Sequence, residues 1–172
     1  MCRSHAFLIV LLSLAASPAR SQSVSLPLGG NLVYSNVNAS TQIAIQGREG
    51  QGQFLRLQRD ANVPAGASPT ALTVIGEIPN SAIVLVDKYH SAPGGLGMCK
   101  SGEESFLRII ATNKKQPIES LRIKLESCID NIELASPGIE WQSASYTLHV
   151  RWLSGPSLAQ RPEELTLRMG TM

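Results

Sequence analysis

The sequence predicts an all-β fold, an antiparallel β-sandwich or small barrel of about 8–10 strands clipped by one disulfide. Three observations carry that expectation. Beyond residue 30 the apolar residues recur almost everywhere with a period of two, the period at which strand side chains return to the same face. Turn-forming residues interrupt that pattern at intervals of roughly 8–15 residues, the spacing of sandwiches and barrels. No segment carries apolar residues in the i, i+3, i+4, i+7 pattern of an amphipathic helix.

The first 21 residues read as an address. Arg3 precedes the apolar run Ala6 to Ala16 (AFLIVLLSLAA), broken only by Ser13, and Ser17-Pro18-Ala19-Arg20-Ser21 follows with small residues at cleavage positions. This is the order of a secretory signal peptide, with cleavage after Ala19 or Ser21. Residues 1–21 are expected to be removed and residues 22–172 to form a single β domain. The run is too short for a membrane-spanning helix, which needs roughly 20 apolar residues. No stable membrane insertion is expected after cleavage, and the expected location is the periplasm, or alternatively the extracellular medium.

Along the mature chain, segments 31–37, 41–46, 53–59 and 71–76 are candidate strands of mixed character. Gly47-Arg48-Glu49-Gly50-Gln51-Gly52 reads as a hairpin connection, and Pro79-Asn80 as a reversal. Ala82 to Val86 and Phe106 to Ile110 are apolar on both parities, the signature of central strands covered on both sides. A further reversal is expected at Lys114-Lys115-Gln116-Pro117. Leu121-Arg122-Ile123-Lys124-Leu125-Glu126 then alternates cleanly.

Its apolar residues take odd numbers, whereas Ile132 and Leu134 take even ones. A bulge or break is therefore expected near 127–131, because a one-residue slip exchanges the faces. That places Cys128 at a sheet rim. Segments 129–134 and 139–142 are weaker strands, with Ser136-Pro137-Gly138 expected to reverse the chain between them. Tyr146 to Trp152 is the clearest strand, with Tyr146, Leu148, Val150 and Trp152 on one face. The only place for a helix is Leu158 to Glu164, where Pro162 limits its length, and Leu165 to Met169 is a last strand.

Composition narrows the function classes. Without Arg3 and Arg20, 13 basic side chains face 13 acidic ones, which gives no electrostatic reason to expect a nucleic acid or an anionic membrane as partner. Cys99 and Cys128 remain once Cys2 leaves with the signal peptide. In an oxidising compartment they are expected to pair, closing a ring that stabilises the fold by about 3–4 kcal/mol. There is no C-x-x-C and only His90 and His149 beside them, so no metal site and no cofactor are expected.

The segment between the two most apolar strands holds the candidate site. It runs from His90 to Glu104, contains four of the 14 glycines, and carries one end of the disulfide. Long loops on rigid scaffolds often present binding residues. Gly97, Ser101, Gly102, Glu103 and Glu104 are the expected binding residues, with Ser101, Glu103 and Glu104 making polar contacts. Asp87, His90 and Ser91 are the residue types of a hydrolase triad, but neighbours on one turn rarely reach triad geometry, and no G-x-S-x-G elbow is present. Glu103 and Glu104 invite a glycosidase reading, yet adjacent strand residues point to opposite faces rather than together across a sugar. No catalytic residues are assigned and the protein is expected not to be an enzyme.

The stretch Gly97-Met98-Cys99-Lys100-Ser101-Gly102-Glu103-Glu104, running into Phe106-Leu107, resembles a segment of uncharacterised exported bacterial proteins; the resemblance implies no activity. The expected function is an exported protein-binding module, in its concrete form a periplasmic inhibitor or immunity-type protein for an envelope-targeting hydrolase. Its partner would be another exported or envelope protein. The alternatives are a fimbrial-type structural or assembly subunit of the envelope and a hydrolase of envelope polymers.

Overall fold

The computed structural model describes residues 22–37, 40–46, 52–92, 99, 101–157 and 162–170. The expected signal peptide and most of the Gly47–Gly52 connection lie outside the described residues, as do Leu158 to Arg161, Gly97 and Lys100. The described residues form eleven strands and no helix: β1 (Gln22–Ser25), β2 (Asn31–Val37), β3 (Ser40–Gln46), β4 (Gln53–Arg56), β5 (Ala71–Ile78), β6 (Ala82–His90), β7 (Glu103–Ala111), β8 (Ile118–Ser127), β9 (Glu133–Gln142), β10 (Thr147–Ser154) and β11 (Glu163–Arg168). All pairs are antiparallel, in three sheets ordered β1-β2-β3-β4, β5-β6-β7-β8 and β11-β10-β9. The fold is thus all-β and sandwich-like, and no sheet closes into a barrel.

The sheet β5–β8 is central. Ile83 and Leu85 of β6 and Ile110 of β7 pack with Leu32, Tyr34 and Ile43 from the first sheet. The opposite parity, Val84, Val86, Leu107 and Leu125, packs with Leu148, Val150 and Trp152 from the third. This is why β6 and β7 are apolar on both parities: each strand serves two cores. Burying such side chains contributes about 1.5–3 kcal/mol each. The Trp152 indole N–H donates to the Leu125 carbonyl at 3.0 Å across the second core, which satisfies the one polar atom of a buried tryptophan.

Most sequence boundaries hold within a residue or two. Thr147 starts β10, and Tyr146 takes a left-handed turn conformation at φ 46°. The expected break near 127–131 is a tight reversal with Asn131 at φ 54°, closed by the Ser127–Ile132 bridge.

Two expectations need correction. Ser136-Pro137-Gly138 does not reverse the chain but lies inside β9. Ala135 to Gly138 bulge out between the pairs Val150–Ile139 and Trp152–Leu134, and proline and glycine suit a bulge as well as a turn. Glu163 and Glu164, placed in a possible helix, are the first residues of β11, paired with Trp152 and Arg151.

Candidate functional site

β6 and β7 pair as far as His90–Glu103. Beyond them the chain closes the base of its loop with Ser91 N–H to Gly102 carbonyl at 2.9 Å and Gly102 N–H to Cys99 carbonyl at 3.0 Å. The disulfide joins Cys99 to Cys128 in the β8–β9 turn, with a Cα–Cα distance of 5.6 Å. Cys128 N–H donates to the Glu103 carbonyl at 3.3 Å. A Cβ on Gly102 would lie 2.5 Å from Cys128 Cβ and 3.0 Å from Ser91 Oγ. No other residue fits at that close approach, so Gly102 serves the geometry of the rim and brings no side chain to a partner.

Strand alternation then separates the two glutamates. Ser101 and Glu103 are exposed, whereas Glu104 is wholly buried. Glu104 was expected among the outward polar contacts; instead it accepts a hydrogen bond from Ser91 Oγ at 2.8 Å beneath the loop base. Its other oxygen has no hydrogen bond and lies 3.9 Å from Lys124 Nζ. Gly97, the fifth expected binding residue, lies outside the described residues. The triad types are likewise dispersed: Asp87 is buried against an arginine, the Ser91 hydroxyl is committed to Glu104, and His90 is exposed.

Around the outward face of this rim, Glu103, Glu126 and Glu133 border an open depression of about 290 Å³ beside Cys128. Lys88 pairs with Glu126 at 3.2 Å and Glu103 at 3.8 Å. Among the described residues no group of three histidines, cysteines or carboxylates is arranged to hold a metal ion, and no helix is long and apolar enough to cross a membrane.

The other side of the central sheet carries a polar assembly that sequence reasoning missed. Arg108 of β7 is 2% exposed and Asp87 of β6 is 0%. Arg108 Nε donates to both Asp87 oxygens at 2.8 and 2.9 Å, and Nη1 donates to Glu119 at 2.7 Å and to the Gln58 carbonyl at 2.9 Å. The Tyr89 hydroxyl donates to Asp87 at 2.6 Å.

Burial alone would lower the Arg108 pKa, but Asp87 and Glu119 outweigh it and raise it. Burial, reinforced by the Asp87 charge, pushes the Tyr89 hydroxyl far up. The guanidinium is therefore charged and the phenol neutral at any physiological pH. The Phe106 ring has Arg108, Arg122 and Lys124 at 5.4, 6.0 and 5.9 Å from its centre, a position favoured by the ring's negative face.

A second group links this assembly to the rim. Lys124 pairs with Asp60 at 3.2 Å and with Asp130, and Asn62 donates to Asp130 at 2.9 Å. Ala92 N–H donates to the Asn62 carbonyl at 2.6 Å. Segment 57–67 is thereby tied to both the β8–β9 turn and the base of the disulfide loop.

That segment walls a cleft of about 430 Å³. Its floor is Tyr89 and Arg108. Its sides are Leu57, Val63, Pro64 and Ala67 with Ser40 and Thr41 from β3, and Arg56, Arg59 and Asp60 stand at its mouth. The available sequence signal was a charge inside each doubly apolar strand, Asp87 directly after the apolar run of β6 and Arg108 in the middle of β7.

No protein-family model matches the chain, and neither does any curated protein or solved structure.

Proposed function

We propose that the protein is an exported binding module, acting in the periplasm or outside the cell, that engages another exported or envelope protein through its disulfide-anchored rim. The supporting observation is the rigidity of that rim. The disulfide, the wedged Gly102 and the hydrogen bonds of Ser91, Gly102 and Cys128 fix the backbone from which Ser101 and Glu103 project. A surface ordered before its partner arrives loses less conformational freedom on binding. Three glutamates against one lysine make the depression beside Cys128 acidic, so the partner segment it suits is basic. In concrete form the module is an inhibitor or immunity-type protein that occupies the cleft of an envelope-targeting hydrolase.

The test is affinity capture from envelope and secreted fractions with the oxidised protein and its Glu103→Lys/Glu133→Lys variant. One stoichiometric hydrolase, held and inhibited by the wild type and released by the charge reversal, is the expected result. A hydrolase retained by the variant removes the rim from the interface. Recovery of the protein's own chain alone favours an assembly subunit.

A further inference from the structure

The cleft over Tyr89 and Arg108 lies on the opposite side of the central sheet from the acidic rim, and the binding proposed above makes no use of it. We infer that this cleft is a separate binding site for a small organic anion, a carboxylate or sulfonate head carried on a compact apolar body. At about 430 Å³ it is within the range of ligand pockets, roughly 300–1,000 Å³.

Charge accounting gives the sign of the ligand. The buried Arg108 is committed to Asp87 and Glu119, and Asp60 shares Lys124 with Asp130; at the mouth itself two arginines stand against the one carboxylate Asp60. Arg56 and Arg59 are exposed at the mouth, and among the described residues neither has an ion-pair partner. The mouth is therefore positive, and a guanidinium offers a carboxylate or sulfonate paired, directional hydrogen bonds.

The walls give the body of the ligand. Leu57, Val63, Pro64 and the Tyr89 ring present mostly apolar surface, which gains free energy when water leaves it. An inorganic anion would satisfy the arginines and leave those walls wet. A neutral apolar molecule would cover the walls and leave the arginines unanswered, and a cation would be repelled.

The wall is also held in place without a ligand. Leu57 N–H donates to the Thr41 carbonyl at 3.0 Å, Gln58 N–H to Glu119 at 2.7 Å, Val63 N–H to the Asp60 carbonyl at 3.2 Å, and Ala67 N–H to the Pro64 carbonyl at 3.1 Å. Binding then carries little cost for ordering segment 57–67.

The probe is 1-anilinonaphthalene-8-sulfonate, a sulfonate on an aromatic body, titrated into the oxidised protein with fluorescence readout. Saturable binding at one site per chain is expected, displaced by octanoate and not by octylamine. The Arg56→Gln/Arg59→Gln variant should bind about tenfold more weakly, the equivalent of one charge-assisted contact. Both arginines are exposed and, among the described residues, form no ion pair, so the melting temperature should be unchanged. Backbone amide shifts induced by octanoate in the wild type provide a reading that needs no variant, and they should cluster in 57–67 and at Tyr89 and Arg108. Equal binding by the variant, displacement by octylamine as effective as by octanoate, or shifts scattered over the surface would each overturn the assignment.

Discussion

On the side of the central sheet that meets β9–β11, Val84, Val86, Leu107 and Leu125 pack with Leu148, Val150 and Trp152, and the Trp152 N–H is matched by a backbone carbonyl. On the side that meets β1–β4, the same two strands begin alike with Ile83, Leu85 and Ile110. They then place Asp87, Arg108 and Glu104 where further apolar residues would be expected. The covering differs accordingly. An apolar face is sealed by a sheet, whose own backbone groups are already paired. The ionic half is covered by segment 57–67, whose free carbonyls and side chains can answer buried charge, as the Gln58 carbonyl does for Arg108 and Asp60 does for Lys124. Buried charges need such partners, because an unpaired one costs several kcal/mol. The irregular covering is also what leaves room for a cleft.

The two sides of the sheet differ most at Arg108. Arg108→Met strips two buried carboxylates, Asp87 and Glu119, of their cation and should cost about 3–5 kcal/mol in urea unfolding. Leu148→Ala on the apolar side leaves a cavity but no unpaired charge, and should cost about 2–4 kcal/mol. If Leu148→Ala were the more damaging of the two, the ionic half would be an accessory to the fold rather than a part of its core.

The smallest effect sharpens the contrast through pH. Burial would raise the Asp130 pKa, but hydrogen bonds from Lys124 and Asn62 outweigh it and hold it below its ordinary 3.8. A depressed carboxyl contributes stability that is complete above its unfolded value and is lost as pH falls through the folded one. Asp130→Asn should therefore cost under about 1 kcal/mol at neutral pH, as expected for a partly exposed pair. That cost should vanish in acid well below pH 3.8, while the cost of Leu148→Ala stays constant.

What the sequence disclosed follows the same division. The apolar side is repetitive, so the period of two in 121–126 and 146–152 identified strands, faces and even the parity break before Ile132. The doubled pattern of 82–86 and 106–110 identified the strands that serve two cores. The ionic side depends on register. Asp87 pairs opposite Phe106, two residues from Arg108, and nothing local to either residue announces the other. Alternation put Glu103 and Glu104 on opposite faces, but only the pairing of β7 with β8 decided that Glu104 is the one turned inward. β1 went unread because Gln-Ser-Val-Ser carries a single apolar residue, and it is held as a strand by its ladder to β2. Ser136-Pro137-Gly138 misled because bulges and turns draw on the same residues.

The disulfide has one consequence of a mechanical kind. Cys99 and Cys128 stand 29 residues apart and enclose the whole of β7 and β8. When the chain is drawn out by its ends, that stretch is short-circuited, and about 100 Å of contour stays coiled in a covalent ring. A protease or translocase that threads a single extended strand meets a doubled chain at Cys99, and must either accommodate it or stop there.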